Sequence, residues 1–338
     1  VDVVVNGAIN ADASLNPFPL NGVHSCGGSG GSVYITCETI SGAGSVTARG
    51  GHACLVNTTY LGCGGAGGRI AILYDSGAQA AVTPAPAFRC STEPGMSDRL
   101  HAIGPYTTAE PGTLYFPDSV LFSSSNLFSG TWLAPGLPAE LILADWTVSN
   151  VCLRIPGMKI TVSNTLTIAG TNYPFSRYGQ FRLEMTNAGQ IACGQLRIDG
   201  GALSLGAALF PYFYPNWDTM SGGPTGSTLT CAGDLVVTNG GRLFVFAGLT
   251  NSGTASGYGA KVTAGGDILS YSNCWIYPVA HPTNGAVPLF TVSNLTVNRF
   301  GGFDANAMGF GGGLRSGATA SNTAWGPGSN GHNAGASH

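Results

Sequence analysis

Charge is scarce in this chain of 338 residues: Asp, Glu, Lys and Arg make up 9% of it, about a third of the usual share. Lysine occurs only at Lys159 and Lys261. Long amphipathic helices need a charged outer face, so the shortage argues against a helical architecture. The net charge is −3, with no basic patch or polybasic segment, which excludes nucleic acid and anionic membrane surfaces as electrostatic partners. No apolar run reaches the roughly 18 residues a membrane-spanning helix needs. Val1 to Val5 contain Asp2 and lack a positive start, so they do not read as a signal peptide; a secreted protein is expected to be mature, or a fragment, at this point. No CxxC pair occurs, which leaves zinc and redox sites without a motif.

Glycine and small apolar residues fill the space. There are 53 glycines, and hydrophobic residues reach 43%, too many for a disordered glycine-rich chain. The expected fold is all-β, a parallel β-solenoid with glycine-rich turns and few or no helices. A degenerate repeat supports it: an apolar residue, a short polar step, then apolar residues flanking one position. Copies stand at 148–155 (VSNVCLRI), 162–168 (VSNTLTI), 193–198 (CGQLRI), 231–237 (CAGDLVV), 264–269 (AGGDIL) and 292–297 (VSNLTV). From Leu166 onward they lie roughly 27 to 39 residues apart, a spacing typical of solenoids. Each repeat is too short to bury its apolar face alone, so stacking must build the core. Period-two alternation sends Leu, Ile, Val and Phe inward and Thr, Ser and Asn outward. Asp234 and Asp267 share a repeat position and read as turn caps rather than as a stacked acidic metal site.

Four regions follow from texture: a glycine-rich β module over 1–75, a Pro-rich connector or inserted β subdomain over 76–140, solenoid repeats over 141–300 and a glycine-rich tail over 301–338. The runs 27–36 (GGSGGSVYIT), 40–48 (ISGAGSVTA) and 64–72 (GGAGGRIAI) resemble the glycine-rich, β-helix-like modules of very large secreted surface and appendage proteins of protists, algae and bacteria, including mastigoneme-like fibres. The resemblance covers 1–75 and 290–338 well and the middle weakly. It implies a surface, wall or appendage role. In those modules a segment like 301–305 (GGFDA) through 335–338 (GASH) precedes one like 3–9 (VVVNGAI), and here the order is reversed. Either the chain is one period of a tandem array, or the end of one subunit completes the start of the next.

Chemistry is thin by comparison. Glycoside hydrolysis needs paired carboxylates, and the nearest pairs, Glu93/Asp98 and Glu140/Asp145, do not share a strand face at i, i+2. The acidic cluster of a calcium-dependent lyase is missing too, so the chain is expected not to be an enzyme and to use no cofactor or metal. The run 64–69 opens a strand rather than a helix, which removes the anion-binding helix terminus of a phosphate loop. Nine cysteines, Cys26, Cys37, Cys54, Cys63, Cys90, Cys152, Cys193, Cys231 and Cys274, suit scattered disulfides in an oxidising compartment, with one thiol left over. Near His52, a Cys54–Cys63 disulfide is favoured over a small metal site. Sequons at Asn57 and Asn294 agree with secretion and glycosylation. The run 210–217 (FPYFYPNW) carries Phe210, Tyr212, Phe213, Tyr214 and Trp217, which with Trp325 are interface candidates. The combined expectation is a subunit of an extracellular filament or appendage whose partners are copies of itself, head to tail, with matrix proteins or glycans as further partners. A carbohydrate-binding adhesive domain is the second reading, and a polysaccharide-degrading enzyme the third.

Overall fold

A computed structural model describes residues 1–14, 27–52, 64–95, 109–122, 127–133, 140–170, 181–207, 226–248, 258–281 and 286–306. Strands dominate them, and every pairing between named strands is parallel. A parallel pair cannot be closed by a tight hairpin, so the chain must travel round before returning to the next register position. Here it winds as a β-solenoid.

The first turn holds β1 (Asp2–Val4), β2 (Ala8–Asn10) and β3 (Ser32–Thr36), and the second β4 (Thr39–Ser41), β5 (Ser45–Thr47) and β6 (Arg69–Leu73). These three positions pair strand on strand with one common separation of 37 residues. The third turn replaces its first strand by α1 (Ser76–Ala80) and continues with β7 (Arg89–Ser91) and β8 (Thr113–Tyr115); the fourth carries β9 (Leu127–Leu133). β10 (Glu140–Leu143), β11 (Trp146–Ser149) and β12 (Cys152–Pro156) form the fifth. Then come β13 (Lys159–Ala169) with β14 (Arg182–Thr186), and β15 (Gln190–Asp199) with β16 (Ala202–Gly206). The eighth turn is β17 (Thr228–Cys231), β18 (Leu235–Thr238) and β19 (Arg242–Phe246), the ninth β20 (Ala260–Ser270) and β21 (Trp275–Val279), and the last β22 (Pro288–Val297) and β23 (Gly302–Phe303). Strands from 76–140 pair within the same sheets as those on either side: β7 joins β5 to β9, and β9 joins β8 to β12.

The helix α1 occupies a strand position without leaving its neighbour's backbone unsatisfied. The carboxamide of Gln79 donates to the Ile40 carbonyl at 2.9 Å and accepts from the Ile40 amide at 2.7 Å. It replaces the peptide group that a strand would have presented, and Gln79 is accordingly buried.

Stacking converts the sequence repeat into columns. Leu166, Leu196, Leu235, Ile268 and Leu295 occupy one register position, and Ile168, Ile198, Val237, Ser270 and Val297 another. Each inward column runs through the core at the parallel spacing of about 4.8 Å. The polar step of the repeat proves to be a register shift inside one long strand, at 162–165 and again at 264–267. Corners after the second position use left-handed residues, with φ of 53° at Asn150, 55° at Asn239 and 62° at Asn273, a conformation Asn tolerates better than most residues.

Two features depart from the expected alternation. On β19 and β21 the outward positions are apolar and buried: Phe244, Phe246, Tyr277 and Val279 form a second cluster, with the Phe244 and Tyr277 rings stacked at 4.5 Å. That sheet is therefore apolar on both faces here. The glycine runs do more than open strands. The Gly65 amide donates to the Gly51 carbonyl at 2.9 Å, and the Gly51 amide to the Gly28 carbonyl at 2.8 Å. A Cβ on Gly65 would stand 1.9 Å from the Gly28 oxygen, and one on Gly67 would stand 1.9 Å from the Thr92 oxygen. Backbone packs directly on backbone there, a contact only glycine permits.

Candidate functional site

The end turns are where the columns stop. At the C-terminal side, Leu295 is 51% exposed and Val297 44%, although the residues beneath them in their columns, Ile268 and Ser270, are at most 1% exposed. Phe303, stacked on the buried Ile276, is also exposed. Among the described strands β22 pairs with β20 alone, so its other edge carries no described strand. At the N-terminal side, among the described strands, β1, β2 and β3 pair only with β4, β5 and β6. Their inward residues Val3, Ile9, Val33 and Ile35 are half-buried, each resting on a fully enclosed partner in the second turn: Ile40, Val46, Ile70 and Ile72. The two ends of the described solenoid thus offer apolar column ends beside parallel strand edges. Such edges template the addition of further strands.

Polar groups along one corner hold successive turns in register. Asp145 accepts from the Asn164 side chain at 3.0 Å and the Thr165 amide at 3.2 Å. Asp234 accepts from the Asp267 amide at 2.9 Å, and Asp267 from the Asn294 carboxamide at 2.8 Å. Asp234 and Asp267 therefore cap the neighbouring turn, as the sequence suggested. Asn294, the sequon residue, lies exposed in the last turn on that corner. Glu140 is held by Thr161 and, at 2.9 Å, by Lys159, so neither member of the Glu140/Asp145 pair is without structural partners. No group of three or more His, Cys, Asp or Glu side chains that could hold a metal occurs among the described residues. None of their helices is long and apolar enough to cross a membrane.

A charged knot on the outer face of the third strand position escaped sequence reasoning. Glu184 on β14 accepts from Arg154 at 2.7 Å and Arg182 at 2.6 Å, and Arg154 also reaches Glu110 at 2.7 Å. Arg182 and Glu184 share one face of β14 two residues apart, while turn-to-turn register brings Arg154 directly onto Glu184. Burial alone would raise the Glu184 pKa, but the charges of Arg182 and Arg154 and their hydrogen bonds outweigh it and hold the carboxyl below its ordinary 4.5. A depressed native pKa adds stability above the unfolded value, and that stability is lost as pH falls through the native one. Urea titrations should accordingly show stability declining from about pH 4.5 downward. Glu184→Gln should flatten that decline and cost about 3–5 kcal/mol at neutral pH, because the ion pairs of both arginines to Glu184 are lost and Arg154 keeps only its pairing with Glu110.

The other candidates are distributed as follows. Cys37, Cys90, Cys152, Cys193, Cys231 and Cys274 are free thiols in this structure, four of them buried. Burial pushes the Cys152 thiol up to about 11. Cys193 and Cys231 stand in register with sulfurs 3.4 Å apart. Cys26, Cys54, Cys63, Asn57, Phe210, Tyr212, Phe213, Tyr214, Trp217 and Trp325 lie outside the described residues. No family model, curated protein or solved structure matches this chain.

Proposed function

We propose that the chain is a structural subunit of an extracellular filament or surface appendage, built by stacking solenoids head to tail. The observation that carries this reading is the pair of end turns, where columns enclosed throughout the interior end in exposed Leu295 and Val297 on one side and half-buried Val3, Ile9, Val33 and Ile35 on the other. A second copy set on the last turn extends both the columns and the parallel ladder, and a heterologous contact of this kind grows without closing. Low charge favours the reading, since little repulsion opposes close stacking. The sequons, the cysteine content and the resemblance of the glycine runs to appendage modules favour an extracellular setting.

Negative-stain electron microscopy of the native chain at neutral pH, without reductant, tests it. Continuous stacking of ten turns at about 4.8 Å each gives an axial repeat of about 50 Å. Regular filaments with that repeat are expected. A monodisperse monomer at high concentration overturns the proposal.

One observation favours carbohydrate binding as a second reading. Tyr34, Arg69, Leu73, Thr113, Tyr115 and Leu133 line an open cavity of about 480 Å³ on the outer face near the first turns. Tyr34 and Tyr115 share one outward column, two turns apart, with Ala71 between them. Their separation of about 10 Å spaces two aromatic platforms. Saturable binding on a glycan array by a monomer, lost in Tyr34→Ala, distinguishes this reading from assembly.

A further inference from the structure

The cysteines contain one pair that the fold itself brings together. Cys193 on β15 and Cys231 at the end of β17 are direct register partners, and both point into the core with little exposure. Their sulfurs lie 3.4 Å apart, and 38 residues separate them along the chain. In-register parallel strands set Cα atoms about 4.8 Å apart, inside the window of about 4.4–6.8 Å that disulfides occupy. The column holding them runs from Val162 below to Ala264 and Val292 above, so the neighbour stacked directly on Cys231 is the small Ala264, which leaves room for the Cys231 side chain to turn toward Cys193. No other two cysteines among the described residues are register partners: Cys90 lies between Val46 and Phe128, and Cys152 lies on Arg182.

We propose that Cys193 and Cys231 form a disulfide that staples the seventh turn of the solenoid to the eighth, with a low-molecular-weight disulfide such as glutathione disulfide as oxidant. One cysteine thiolate attacks a sulfur of glutathione disulfide and displaces one glutathione thiolate, leaving a mixed disulfide. The second cysteine thiolate then attacks the protein sulfur of that mixed disulfide and displaces the other glutathione. The two cysteine protons pass to the two glutathione thiolates, so the oxidant gains two electrons and the protein loses them. Timing follows from burial. Thiolates are the attacking species; the hydrogen bond with the Cys193 sulfur, and then burial, disfavour the Cys231 thiolate, and enclosure in the column shuts out the oxidant. The bond therefore forms while the two turns are still closing, and once enclosed it is shielded from reductants. It closes a covalent loop that starts within β15, takes in β16 and ends at the last residue of β17, without touching either end turn.

The test is oxidative refolding of the full chain. The protein is unfolded and reduced, refolded at pH 8 in a reduced/oxidised glutathione buffer, alkylated in denaturant without reductant, digested and mapped by mass spectrometry. The expected result is a peptide pair joined through Cys193 and Cys231, two hydrogens lighter than the free peptides. Reductant added to the refolded protein should leave the pair intact, while reductant added in denaturant should release it. The stapled chain should melt about 5 °C or more above the same chain refolded reduced. Cys193→Ser should leave Cys231 alkylated, and if that variant fails to refold, the wild-type map still decides. Full alkylation of both cysteines in the wild type, or their linkage to other partners, overturns the proposal.

Discussion

Leu295→Asp combined with Val297→Asp is expected to leave a folded monomer and abolish filament growth. Both side chains are about half exposed in the single chain, so neither substitution should cost the fold more than a typical surface change. In a stacked assembly the same positions are enclosed between two turns, as Ile268 and Ser270 are. Losing the apolar contact forfeits about 1 kcal/mol at each site. Enclosing a carboxylate with no partner adds several kcal/mol more. Together these weaken association by roughly a thousandfold or more, since each 1.4 kcal/mol is a factor of ten. Sedimentation velocity and negative-stain imaging read the outcome. Filaments of unchanged length in the double variant would remove the end turns from the interface. Circular dichroism matching the parent chain keeps loss of assembly distinct from loss of folding.

Gly67→Ala is expected to be among the most damaging single changes in the chain, although it adds only one methyl group. The new Cβ would stand 1.9 Å from the Thr92 carbonyl oxygen and 2.3 Å from the Gly112 amide nitrogen. Both contacts are backbone, so no side chain can rotate away, and the third turn must shift as a unit. The expected cost is about 4 kcal/mol or more, in the range of core overpacking and broken backbone packing. It should appear as an earlier unfolding transition in urea and as proteolysis within the N-terminal turns. Gly7→Ala is the matched control, because nothing lies within 4 Å of its added methyl. It should stay within about 0.5 kcal/mol of the parent. Equal behaviour of the two variants would mean that the glycine stack is not what holds these turns together.

Several site features were readable in one dimension and others were not. The Asp234 and Asp267 caps were legible because the repeat places both at one position before an apolar residue, and a short acidic side chain there has a turn amide to accept. In the knot of Arg154, Glu184 and Arg182, the i, i+2 pair of Arg182 and Glu184 is local, but the contact with Arg154 was invisible. Arg154 and Glu184 lie 30 residues apart, and the intervening insertion follows no period that would align them. Cys193 and Cys231, by contrast, open consecutive copies of the repeat, so their shared column was legible in the sequence although it was not drawn out among the nine cysteines. Gln79 is a harder case still, since one carboxamide stands in for a strand and the local sequence reads only as a weak helix. The outward apolar residues Phe244 and Tyr277 obey period-two alternation as well as an inward pair would, so alternation alone could not assign their face.

By itself the sequence determined the class of fold: scarce charge forbade long helices, apolar residues at period two demanded strands, and repeats too short to bury their own faces demanded stacking. It also set the material of the corners, through Asn and Gly where the backbone turns left-handed. Register was decided only in three dimensions. Insertions of unequal length sit between the strands, so sequence distance does not measure how turns align; hydrogen-bond ladders and column packing do. That alignment determines which guanidinium of one turn meets which carboxylate of the next, and which apolar residues are left uncovered at the ends.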